Sequence, residues 1–294
     1  MSASPTDERA AITIRRIRFE YPQGLSAVIV AGKPEESFID VALSLLLPYL
    51  EPYLIRSMRQ ARPLVKDPRI LADLDLFNGQ EGQHYRQHIA LNEALDIPGK
   101  DRVKELEAEL SADYQRYTKE RSLRWNLAYA EGFEAYTLAM ARFSFEIGLF
   151  DTMHPAVRDI FAWHLIEEME HRTVAFDVYN HVCGGYLYRM RVGLFAQWHL
   201  NRFLMRTARA MAGVDPVAFK ATYGGFYRAW RRQAPLIGKM LTRFLPKLLS
   251  TYLPWYSPRR IKVPALALTL GDHYAEVARA GASKASAASA EPVT

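Results

Sequence analysis

From about residue 37 the apolar positions recur at intervals of three and four, the spacing of one helical face, and the pattern persists to about 280. It predicts helices near 37–60, 68–94, 100–120, 121–148, 155–182, 186–212, 216–232, 234–252 and 264–280. Residues 12–22, ITIRRIRFEYP, alternate instead and read as a short strand or extended arm. The stretch that follows, with Gly24, Gly32 and Pro34, is loop-like. His154-Pro155 marks a helix start, where the missing proline N–H costs nothing, and Gly184-Gly185 marks a helix end. Val103, Leu106, Leu110 and Tyr114 keep helical spacing in an otherwise charged segment, so that helix is expected at the surface. The last residues are small and polar and are expected to be disordered. The chain therefore divides into an arm (1–36), a helical bundle (37–182), a basic helical region packed on it (183–280) and a tail (281–294).

With 294 residues, 49% of them hydrophobic, the chain can bury a substantial core. No run of 18 uncharged apolar residues occurs, so an ordinary membrane-spanning helix is not expected. Met1 to Arg9 lack the apolar segment of a secretory signal. Cys183 is the only cysteine, which excludes an internal disulfide and a cysteine-rich metal site. A cytoplasmic location is expected.

Two Glu-x-x-His units change the picture: Glu81 with His84, and Glu168 with His171. Residues three apart on a helix share a face, so a carboxylate and an imidazole so placed can grip one ion. One unit alone means little; the order is informative. Glu51 lies in the apolar segment VALSLLLPYLEPYLIRSM, Glu81 and His84 in the next helix, Glu131 and Glu134 in WNLAYAEGFEAYTLAMARF, and Glu168 and His171 in the next after that. The series Glu, Glu-x-x-His, Glu, Glu-x-x-His is that of dimetal carboxylate bundles, in which one long crossover joins the second and third helices. The 100–120 helix supplies that crossover. The expected fold is all-α, a ferritin-like four-helix bundle with additional C-terminal helices. Carboxylates set among leucines and aromatics are costly unless paired or bound to metal, and two divalent ions balance four of them. Oxygen and nitrogen donors without thiolate suit iron or manganese, with zinc compatible; iron is expected.

Either Glu131 or Glu134 has the spacing to supply the third-helix carboxylate. His88 and His164 fall on the metal faces, each as a further ligand or as a partner that orients a glutamate. Glu167 and Glu170 are expected to point away from the metals, one of them in support. Pro52, directly after Glu51, is expected to kink its helix and either open a channel or displace Glu51.

The segments Phe77-Asn78-Gly79-Gln80-Glu81-Gly82-Gln83-His84 with His88, Glu134-Ala135-Tyr136-Thr137, and Trp163-His164-Leu165-Ile166-Glu167-Glu168-Met169-Glu170-His171 resemble the predicted metal-dependent hydrolases, a ferritin-like group of bacterial proteins. Pro48-Tyr49-Leu50-Glu51 resembles that family's first metal helix, and the likeness spans roughly 10–265. The resemblance favours Glu134 over Glu131 as ligand. Three functions follow in order of expectation. The first is a di-iron enzyme that activates O₂ to oxidise an apolar, lipid-like substrate. The second is a hydrolase using a metal-activated water. The third is a non-catalytic metal-binding protein.

Charge adds a partner. The chain carries +6, but from Cys183 to Lys262 fifteen Lys and Arg face Asp215 alone, while the remainder is mildly acidic. Residues 226–253 pair a stripe of Lys239, Arg243 and Lys247 with a broad apolar face and flanking Trp230, Tyr252, Trp255 and Tyr256. Such a helix suits an anionic membrane surface; the ordinary alternative is packing on the bundle or in a homodimer. No nucleic-acid motif accompanies the charge, and no nucleic-acid partner is expected.

Overall fold

The computed structural model describes residues 11–290, with side chains to 281. The expected helices form, several within a residue or two: α1 Pro34–Ala61, α2 Pro68–Ala94, α3 Lys100–Glu120, α4 Leu123–Ile147, α5 Pro155–Glu170, α6 Val174–Val182, α7 Tyr186–Ala212, α8 Pro216–Tyr223, α9 Phe226–Lys239, α10 Leu245–Ser250 and α11 Ala265–Ala290. The fold is all-α, a helical bundle in which α1, α2, α4 and the α5–α6 pair surround one core. Strand is confined, among described residues, to a two-residue parallel pair, β1 Leu25–Ser26 with β2 Leu95–Asp96. Caps set the helix starts: the Asp67 carboxylate accepts from Arg69 N at 2.8 Å, and Ser122 Oγ from Trp125 N at 3.2 Å.

The crossover helix α3 packs on α1 and α7 rather than standing free. Tyr114 of α3 stacks on Tyr53 of α1 at 4.9 Å and shares a hydrogen bond with Tyr129 of α4. Helix α7 runs against α4 and α1 and is a full member of the bundle. Its approach is set by two glycines. A Cβ on Gly132 would lie 2.3 Å from the Gly193 backbone, so α4 and α7 touch there as only glycines allow. By length and composition α1 could cross a membrane. Two thirds of that apolar window is buried, and Glu51 on it faces the bundle interior, which is how a core helix behaves.

Two local expectations are corrected. The helix expected over 155–182 breaks at His171, because the Arg172 guanidinium reaches back 2.7 Å to Met169 O, a carbonyl the next helical N–H would otherwise take. The helix expected over 216–232 breaks at Gly224, whose φ of 82° ends α8; α9 then continues through Pro235 into a wider π-helical turn at Met240–Phe244. Helix α11 runs to Ala290 through an alanine-rich stretch, and 291–294 of the expected tail lie outside the described residues. The arm at 12–22 is extended without pairing as a strand, and Arg15 on it is buried.

Candidate metal centre

Glu51 from α1, Glu81 and His84 from α2, Glu134 from α4, and Glu168 with His171 from α5 converge in the bundle, and His164 joins them. Each of the seven is at most 5% exposed. Helical period explains the convergence: Glu81 and His84 share one face of α2, and His164 and Glu168, four apart on α5, share a face with His171, the residue that caps its end. Pro52 does not displace Glu51, since α1 passes through both Pro48 and Pro52 with Glu51 buried at the cluster. Donor atoms within 4.8 Å of one another form three overlapping groups: Glu51–His84–His164, Glu81–His84–Glu168 and Glu81–Glu134–His171. Glu81 and His84 each belong to two.

The outer nitrogens of the three histidines fix their inner ones. Gln80 donates its amide to Thr13 O at 3.1 Å and Glu170 at 2.9 Å, so its oxygen is the acceptor facing His171 Nδ1 at 2.9 Å. His84 Nε2 lies 3.0 Å from Glu167, a carboxylate held by Trp163 and Arg15. The third relay is longer. Pro48 has no N–H, so Ser44 O lacks its helical donor and accepts from Asn92 Nδ2 at 2.9 Å. Asn92 Oδ1 therefore takes the Ser44 hydroxyl proton at 2.6 Å, and His88 Nδ1 must donate to Ser44 Oγ at 2.9 Å. His88 Nε2 is then an acceptor for His164 Nδ1 at 2.9 Å.

In the neutral imidazoles, one lone pair each remains, at His84 Nδ1, His164 Nε2 and His171 Nε2. All three point at carboxylates. His84 Nδ1 is 3.7 Å from Glu81 and 3.9 Å from Glu168; His164 Nε2 is 3.0 Å from Glu168 and 3.5 Å from Glu51; His171 Nε2 is 3.2 Å from Glu134 and 3.4 Å from Glu81 and Glu168. Lone pairs facing carboxylate oxygens repel unless a cation, or a proton in its place, lies between them. Buried and without hydrogen-bond partners are Glu51 Oε1 and Oε2, Glu81 Oε1, Glu134 Oε1, His84 Nδ1 and His171 Nε2. Buried polar atoms are rarely left so, and here they belong to five of the seven converging residues. Glu168 is oriented by Thr137, whose hydroxyl donates to it at 2.6 Å.

Proton affinities record the same crowding. Burial, then Glu81, Glu168 and Glu134, raises the Glu51 carboxyl well above its ordinary range. Burial and Glu168 push Glu81 and Glu134 up to about 8. Burial disfavours charge on His171, but Glu168 and Glu134 outweigh it and hold the imidazole well above its ordinary value. Burial likewise opposes ionisation of Glu168, and His171 with His164 overcomes it, driving Glu168 well below the carboxylate range. Protons at Glu81, Glu134 and His171 thus stand where cations would. Metal uptake at pH 7 is expected to release them. A pH indicator in weak buffer checks this on adding Mn²⁺ or Zn²⁺; uptake without acidification would contradict it.

The donor set fits two divalent cations. Four carboxylates offset their charge, and three oriented imidazoles complete a nitrogen–oxygen ligand set. Glu131 is not in it. Its Oε1 accepts from Arg189 of α7 at 2.7 Å, and of the two third-helix carboxylates Glu134 is the one among the converging donors. His88 is no donor to the cluster but the relay to His164. Glu167 and Glu170 support the site through His84 and through Gln80 and Arg15. Sequence reasoning missed Gln80, Ser44, Asn92 and Arg15. Gln80, one turn before His84 on α2, is the one its spacing could have found.

Fold and site together define a helical-bundle protein with a buried carboxylate–imidazole cluster built to hold metal. The profile of the predicted metal-dependent hydrolase family matches residues 13–262, and the chain belongs to that family. Neither curated proteins nor solved structures gave a match.

Proposed function

We propose that this chain is a dinuclear metal-dependent hydrolase of apolar substrates. The single observation that carries metal dependence is the ring of buried, partnerless donor atoms on Glu51, Glu81, His84, Glu134 and His171. Glu51, His84 and His164 would hold one ion and Glu134 and His171 the other, with Glu81 and Glu168 facing both. Bound there, two divalent cations supply Lewis acidity and a water of lowered pKa for hydrolysis, or, if redox-active, electrons for dioxygen.

The chain's own part is shape and exclusion. A cavity of about 270 Å³ reaches Thr137, the residue that orients Glu168, and lies between α1, α4, α5, α7 and α9. Its walls are chiefly apolar, with Phe133, Tyr136, Met140, Phe161 and Leu165 nearest the cluster's helices. Such a lining admits an acyl or hydrocarbon chain and keeps bulk water away.

Hydrolysis takes first place because the family's description names it. Oxidation of the same class of substrate is the second reading, and the donor set favours it: carboxylates and imidazoles in a helical bundle suit redox metals. Zn²⁺-loaded protein is expected to cleave a medium-chain p-nitrophenyl ester, and His84→Ala to lose both metal and activity. A Zn²⁺ form inert toward esters, with a Fe²⁺ form that consumes O₂ and develops a new visible band, would replace hydrolysis by oxidation.

A further inference from the structure

We propose that α8 and the start of α9 dock on an anionic lipid bilayer and that the apolar cavity is loaded from it. This rests on the cavity being the substrate site. The outer residues of this segment are large and apolar yet unburied: Val217 is 80% exposed, Phe226 87%, Tyr227 69% and Trp230 54%. Single exposed apolar residues are ordinary on protein surfaces; a cluster of aromatics at one helix start is not. Phe226, Trp230, Ile237 and Leu241 are spaced by four, seven and four, a single stripe along α9 and the turn after it.

Charge specifies the occupant. Lys220, Arg228, Arg231 and Lys239 lie beside this stripe and have no acidic partner among the described residues, unlike Arg232, Arg243 and Lys247, which pair with Glu35 and Glu146. Exposed aromatics interleaved with free cations match the interface of an anionic membrane, where rings sit at headgroup level and each cation gains from the surface potential. A second copy of this chain would bring the same positive charge to the contact.

The cavity gives the surface a purpose. Ile237 and Met205 line it and are 43% and 44% exposed, so its mouth opens between α7 and α9, two helical turns from Trp230 along the same stripe. Its inner end is Thr137, in contact with Glu168. A chain leaving a bilayer at that mouth would reach the cluster without crossing water.

Flotation of the full-length protein with vesicles of phosphatidylcholine and 30% phosphatidylglycerol tests the proposal. The protein is expected to float at low ionic strength, to bind pure phosphatidylcholine at least about tenfold less, and to be released by salt. Phe226→Ser/Trp230→Ser and Arg228→Glu/Arg231→Glu are each expected to weaken binding about tenfold or more, with unchanged circular dichroism because all four side chains lie outside the core. No flotation at low salt overturns the proposal. So does flotation that neither variant weakens, or a dimer in solution that the aromatic variant dissociates, which would assign the face to a second copy. Binding is read without metal or turnover, so its failure leaves the metal centre standing, and a metal-free chain could still float.

Discussion

Glu81→Gln is expected to abolish metal binding in both halves of the cluster and, without metal, to make the protein more stable. Glu81 is shared by two of the three donor groups, so its loss removes a ligand from each ion. The stability sign follows from linkage. The unfolded chain gives up this proton in the ordinary carboxylate range, whereas the folded, metal-free chain keeps it until about pH 8. Stability therefore falls as pH rises through that window and stays low above it. Glutamine carries no such proton, so the variant gains over wild type, more at pH 9 than at pH 5. Metal has the opposite effect on the two proteins. At a hundredfold excess over its dissociation constant each ion adds about 3 kcal/mol to the wild type, roughly 5–10 °C per ion for a chain of this size, and nothing to the variant. Thermal unfolding with and without Mn²⁺, together with elemental analysis, measures both. Two ions retained per chain, or a metal-free variant less stable than wild type at pH 9, would refute the assignment.

Arg189→Ala is expected to cost about 3–5 kcal/mol of stability while leaving the metal content unchanged. Arg189 and Glu131 are buried together 2.7 Å apart, and the second guanidinium nitrogen donates to Thr251 O at 2.9 Å. The rings of Phe176, Tyr186 and Tyr256 surround the cation. Burial alone raises the Glu131 carboxyl, and Arg189 opposes it. Truncating the arginine strands that carboxyl in the core, where it must take up a proton or open the α4–α7 contact. Replacing both partners, Arg189→Met with Glu131→Gln, should recover most of the loss, because no charge is then left unpaired. Urea titration of the three variants reads these differences. Loss of metal in Arg189→Ala, with the fold intact, would place Glu131 back among the donors.

These two variants mark where the sequence is legible. The period of apolar residues locates α2 and α3 to the residue, because both have sharp caps or breakers at their ends. The order Glu51, Glu81, His84, Glu134, Glu168, His171 identifies the donors that meet, since a helix puts residues three and four apart on one face whatever surrounds it. What is set between helices is not legible. Glu131 and Glu134 are equivalent by spacing, and the choice is made by the Gly132–Gly193 contact that brings α7 and Arg189 onto α4. The break after Glu170 depends on one side chain, Arg172, taking a backbone carbonyl, which leaves no trace in hydropathy. Most of the acceptors that aim the imidazoles, Glu167, Gln80 and the Ser44–Asn92 pair, reach across from another helix, and Ser44 is freed for this by a proline four residues on.

The central claim is that seven converging residues hold two metal ions. Anomalous-scattering maps from crystals grown with Mn²⁺ or Fe²⁺ test it most directly. Two peaks are predicted, one within ligand distance of Glu51, His84 and His164 and one within ligand distance of Glu134 and His171, with Glu81 and Glu168 reaching both. No peak in the bundle, or peaks bound by other residues while these seven keep protons between them, would contradict it.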